Sequence, residues 1–125
     1  MGRECNPVGW FEIPVEDMER ACSFYRRVFS FSMEIQEQAG VQMAWFPMLG
    51  DETGAAGSLV KATDYVPSLQ GVLVYFTAPD MEKILGMIEG AGGKVLQGRT
   101  GIGRHGYVAF VSDTEGNRIG LHSRA

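Results

Sequence analysis

Two tetrapeptides, Asp17-Met18-Glu19-Arg20 and Asp80-Met81-Glu82-Lys83, stand 63 positions apart, and each follows an apolar run. The runs are VGWFEIPV (8 to 15) and VLVYFTA (72 to 78), both rich in the aromatic and branched side chains that favour strands. Each aspartate suits a helix N-cap, and each glutamate complements the positive end of the helix dipole. A chain that states one plan twice is expected to fold as two like units.

The helices are legible from their spacing. Met18, Ala21, Cys22, Tyr25, Val28 and Phe29 fall on one helical stripe, and Met81, Ile84, Leu85, Ile88 and Ala91 repeat it. Gly90-Ala91-Gly92-Gly93 then supplies a stop suited to the left-handed turn that ends many helices. Three short strand candidates follow each helix: Ser32 to Gln36, Val41 to Leu49 and Ser58 to Ala62, then Lys94 to Gln97, Tyr107 to Ser112 and Arg118 to His122. The expectation is an α+β chain of two βαβββ repeats, about 8–62 and 71–123, forming a single domain over 1–125 with a cleft between curved mixed sheets. Such a cleft is the natural place for a ligand.

Composition excludes several function classes. With 45% hydrophobic and 21% charged residues, 125 residues suffice to bury a core without disulfides or a structural metal. No apolar run approaches the roughly 20 residues of a membrane span, and no secretory pattern is read at the start, so a cytoplasmic location without membrane partners is expected. A net charge of −4 without a basic cluster argues against nucleic acid. Cys5 and Cys22 form no metal motif, and Cys22 lies on the apolar stripe as a small hydrophobe. The stretch 101–106 fits G-x-G-x-x-G but leads into the strand YVAFVS rather than a helix, so it is not a dinucleotide fingerprint; Arg104 and His105 within it are exposed-loop candidates for an anionic ligand.

The phrases EIPVEDMERACSFYRRVF and DTEGNRIGLH, with Phe24-Tyr25 in the first helix and the turn Asp113-Thr114-Glu115-Gly116-Asn117, resemble the vicinal oxygen chelate superfamily. That superfamily includes glyoxalase I, extradiol dioxygenases and bleomycin-resistance proteins. The resemblance implies a small-molecule ligand, often a homodimer, and in metal-using members one ligand on the first and one on the last strand of each repeat. Those positions map to Trp10, Leu73, Gly120 and, in the first repeat's last strand, the vicinity of Val60. None of the four is a metal donor, so no cofactor is expected, although a divalent metal with displaced ligands stays open.

Residues two places along a strand project from the same face, which turns attention to Glu12, Ala62, Tyr75 and His122. Glu12 and His122 are the candidate catalytic pair, able to act as acid or base, and the same two would be the metal ligands if one is bound. Tyr75 would donate a hydrogen bond, and Trp10 would form an apolar floor. The expected function is binding of a small, partly apolar organic molecule in the cleft, with or without catalysis. A metal-dependent lyase or dioxygenase using Glu12 and His122, and a protein-interaction module, are the alternatives.

Overall fold

A computed structural model describes residues 6–125. Cys5 lies outside the described residues. The order is β1 (Phe11–Pro14), α1 (Met18–Phe29), β2 (Ile35–Gln38), β3 (Val41–Trp45), β4 (Gly57–Lys61), then β5 (Tyr75–Thr77), α2 (Met81–Ile88), β6 (Lys94–Gly101), β7 (Tyr107–Ser112) and β8 (Arg118–Ser123). The sheets run β1-β4-β3-β2 and β5-β8-β7-β6, each with a parallel pair formed by its first and last strands. The expected two βαβββ repeats are therefore present. A single turn of 3₁₀ helix, Gly103–His105, joins β6 to β7.

Local chemistry accounts for the helix ends. The Asp17 carboxylate accepts from the Arg20 N–H and the Asp80 carboxylate from the Lys83 N–H, so both aspartates cap as their spacing implies. At the far end of α2 the Gly93 N–H reaches the Ile88 carbonyl through Gly92, whose φ of 102° is left-handed. Gly93 itself has no room for a side chain: a β-carbon there would overlap the Ser112 carbonyl oxygen.

Both helix-covered sheet faces feed one core. Ile13, Ala44 and Leu59 from the first sheet and Ala109, Val111 and Leu121 from the second are all buried in it. Phe76 of β5 joins the repeats, its ring centroid lying 4.9 Å from Phe29, 5.5 Å from Phe46, 5.8 Å from Tyr25 and 6.0 Å from Phe11. Because side chains alternate along a strand, the neighbours of these core residues project from the opposite, open face of each sheet.

A second lock joins the repeats at the turn 113–117. Glu115 accepts the backbone N–H groups of Glu16 (2.9 Å) and Asp17 (2.8 Å) and a forked contact from Arg20, with Nε at 2.7 Å and Nη2 at 3.0 Å. Burial pushes its pKa up, but the bonds from Arg20, the two N–H groups and Thr114 outweigh this and bring it to about 2. Asp113 accepts from the buried Tyr25 hydroxyl at 2.8 Å, while burial first, then Asp113, raises the Tyr25 phenol well above its usual range. Asn117 donates to the Pro14 carbonyl at 2.7 Å and accepts from the Ser68 N–H at 3.1 Å. The family-like turn is thus a clamp between β8, β1 and the segment that connects the repeats.

Candidate functional site

Strand register places the open-face residues in rows. In the first sheet Glu12 pairs with Ser58 and Ser58 with Trp45. In the second, Tyr75 pairs with Gly120 and Gly120 with Phe110. Adding the 63-residue repeat to Glu12 gives Tyr75, so these rows are counterparts. One step along, Pro14 faces Val60 and Thr77 faces His122.

This register corrects two details of the sequence reading. Gly120 corresponds to Ser58 rather than to a position near Val60, and His122 corresponds to Val60 rather than to Ala62. Glu12 and Tyr75 do share a row across the repeat, but His122 sits in the next one. The reason is that β1 meets β4 two residues earlier than counting from the apolar pattern implies, because Gly57 opens β4 directly against Phe11.

Aromatic rings fill the row positions. Tyr75 lies over Gly120 so closely that a β-carbon on the glycine would stand 2.6 Å from the Tyr75 Cδ2. Phe110 meets the Tyr75 ring edge-on at 5.9 Å, and the Arg118 guanidinium covers the Phe110 ring at 4.6 Å. In the first sheet Trp10 and Trp45 make an edge contact at 5.0 Å, and Trp45 stays 44% exposed. The Ser58 hydroxyl is fully buried in this row and has no hydrogen-bond partner among the described residues.

The predicted acid–base pair is not brought together on one cavity wall. Glu12 accepts from the Tyr65 hydroxyl at 2.6 Å, which raises the Tyr65 phenol. His122 Nε2 faces the His105 carbonyl at 2.7 Å, so it must be the donor, and a neutral ring presents Nδ1 as its free acceptor. Two cavities lie between the repeats. One, of about 230 Å³, is walled by Glu12, Pro14, the connecting segment 66–74 and Arg118; the other, of about 470 Å³, is walled by Trp10, Phe31, Phe76, Thr77 and the loop 47–56. Tyr75 and His122 line neither. Tyr65 and Arg118 were not singled out from the sequence: Arg118 stands within DTEGNRIGLH but was read there only as part of the strand, Tyr65 falls in no motif, and both acquire their neighbours only through the tertiary fold.

The model of the "Glyoxalase/Bleomycin resistance protein/Dioxygenase superfamily" matches residues 8–121. The chain belongs to that superfamily. A "Glyoxylase-like domain-containing protein" of Didymella fabae is 27% identical over 121 residues, covering 94% of this chain and 93% of the relative. Among solved structures, a glyoxylase/bleomycin resistance protein/dioxygenase domain from Frankia sp. EAN1pec superposes with a TM-score of 0.74 at 13% identity, covering 96% of this chain and 98% of that one. TnmS3, an antibiotic binding protein from Streptomyces sp. CB03234, superposes with a TM-score of 0.68 at 24% identity, covering 99% and 100%. A glyoxalase I variant from Zea mays gives 0.72 at 17% identity; this chain spans 94% of itself but only 47% of the maize protein. At these identities the structural likeness establishes the fold alone.

Superfamily members often bind a divalent metal, and the residues present do not fit one at the usual positions. Trp10 offers no oxygen, sulfur or imidazole donor, and at Gly120 the Tyr75 ring occupies the space a glutamate side chain would need. Among the described residues no three His, Cys, Asp or Glu side chains gather into a metal-holding group. The superfamily fold is kept while two of its ligand positions carry aromatic surface: Trp10 itself and Gly120 beneath the Tyr75 ring.

Proposed function

We propose that this superfamily member binds a small, partly apolar organic molecule on the aromatic open faces of its sheets and works without a metal. The observation that carries the reading is Tyr75 packed across Gly120, with Trp10 against Trp45 in the other repeat. Aromatic surfaces with a few polar groups beside them suit ligands that combine a flat apolar body with one or two hydrogen-bonding groups. Trp10, Glu12, Tyr75 and His122 are the residues assigned to contact. Glu12 and His122 are each free to add an acid or base on one oxygen or nitrogen, which makes a catalytic step on the bound molecule the natural extension.

A homodimer belongs to the same reading. Trp45, Met48 and Leu49 remain exposed on one stretch of the chain, with Leu49 at 69%, and large exposed apolar patches mark interaction surfaces. Light scattering on the purified chain is expected to give twice its 13.7 kDa mass. A strictly monomeric protein at all concentrations would remove the second copy from the account.

The test of binding is a thermal-shift screen of flat organic compounds, followed by tryptophan fluorescence titration of the hits. A ligand that binds only the folded chain raises its melting temperature by mass action. Hits are expected to quench Trp10 and Trp45, and to lose affinity in Tyr75→Ala. Hits that ignore Trp45→Ala and Tyr75→Ala alike would contradict the assignment.

A further inference from the structure

We propose that the cavity beside Glu12 takes a compact zwitterion, a free amino acid or dipeptide whose ammonium meets Glu12 and whose carboxylate meets Arg118. The proposal rests on the small-molecule reading above and names a ligand class for the cavity at Glu12, the one contact residue of that reading that lines it. The cavity, about 230 Å³, lies between the repeats, with Pro14, Val66, Val72 and Val74 as its apolar wall and Glu12 and Arg118 as its charged groups.

The two charges line one cavity, and neither is neutralised by another of the described residues. Among the described residues the ion pair is Arg20 with Glu115, which leaves Glu12 and Arg118 without ionic partners. Glu12 uses Oε1 for the Tyr65 hydroxyl, so Oε2 is open to a cationic donor. The Arg118 guanidinium lies 4.6 Å from the Phe110 ring, a cation–π contact that uses none of its N–H groups on an oxygen acceptor and so leaves them for a carboxylate.

This charge pattern selects among ligands. A neutral molecule entering the cavity would displace water from two opposite charges and pair neither, and a singly charged one would leave the other exposed to the same loss. A zwitterion satisfies both. The connecting segment that roofs the cavity is tied at both sides of Val66, by Tyr65 to Glu12 and by Ser68 to Asn117, so the apolar wall is held in place before a ligand arrives.

The experiment is calorimetric titration of the full chain with L-phenylalanine, its N-acetyl form, its amide and the doubly blocked N-acetyl amide. The free amino acid is expected to bind roughly tenfold or more tightly than either singly blocked form, the scale of one charge-assisted hydrogen bond. Glu12→Gln should erase the difference between free and acetylated forms, and Arg118→Gln the difference between free and amidated forms. If the doubly blocked compound binds as well as the free amino acid, the zwitterion assignment is overturned and the small-molecule reading stands. If none of the four binds while the thermal screen yields other ligands, the same assignment falls. If neither experiment yields a ligand, both fall.

Discussion

The ring of Tyr75 lies across Gly120 on the neighbouring strand, where a β-carbon would stand 2.6 Å from Tyr75 Cδ2. Gly120→Ala should therefore push Tyr75 off Phe110 and destabilise the fold by about 1 to 3 kcal/mol, the range for overpacking. The loss should largely vanish in the Tyr75→Ala background, because the clash needs both partners. Chemical denaturation of the two single variants and the double variant measures the coupling; additive losses would mean that the contact is not close.

Phe76 is the hinge between the repeats' cores, touching Phe11, Phe29 and Phe46 at once. Phe76→Ala should cost about 3 to 5 kcal/mol, as large buried aromatics do when truncated, because Phe76 is the second repeat's ring among rings of the first, and these are held by their own helix and strands and cannot all collapse into the gap. A loss under about 1 kcal/mol, the range of surface changes, would show that the repeats do not depend on one another.

Acid sensitivity follows from Glu115. Its folded pKa, about 2, lies below the ordinary 4.5, so the clamp contributes stability that is present above pH 4.5 and is lost as pH falls toward 2. Glu115→Gln should flatten that part of the stability curve and lower neutral stability by about 1.5 to 3 kcal/mol, the scale for hydrogen bonds to a charged group. Arg20→Met should weaken the same dependence while leaving the two backbone N–H donors in place. Denaturant midpoints at pH 7, 4 and 2.5 decide it, and an unchanged slope in Glu115→Gln would count against the clamp.

His122 donates to the His105 carbonyl from Nε2, which fixes the loop between β6 and β7 against β8. His122→Ala should leave the core intact, lower stability by about 1 kcal/mol, the net worth of one hydrogen bond, and loosen that loop. Amide exchange confined to 102–107 is the expected signature. Global destabilisation would place His122 in the core instead.

The repeat, both helices and the order of strands were legible because their signals are local. The 63-residue spacing, the apolar stripe from Met18 to Phe29 and the capping aspartates need no knowledge of what packs where. The site was legible only in part. Trp10 was singled out from the ligand spacing of the family resemblance, and Glu12 and Tyr75 by alternation along single strands, but which residue faces which across strands depends on register, and register slipped by two at β4. Arg118, Tyr65 and Ser58 matter only through partners distant in sequence, for which periodicity carries no signal. The vacant ligand positions were seen, but not that an aromatic ring from the adjacent strand occupies the space at Gly120.

The most direct test of the central claim is metal content measured by elemental mass spectrometry after dialysis of untagged protein against zinc, manganese and iron(II), each followed by metal-free buffer. The account predicts far less than one metal per chain in every case, with the same result in Glu12→Gln and His122→Ala. Retention of about one metal per chain, abolished by either substitution, would contradict it and assign Glu12 and His122 as ligands.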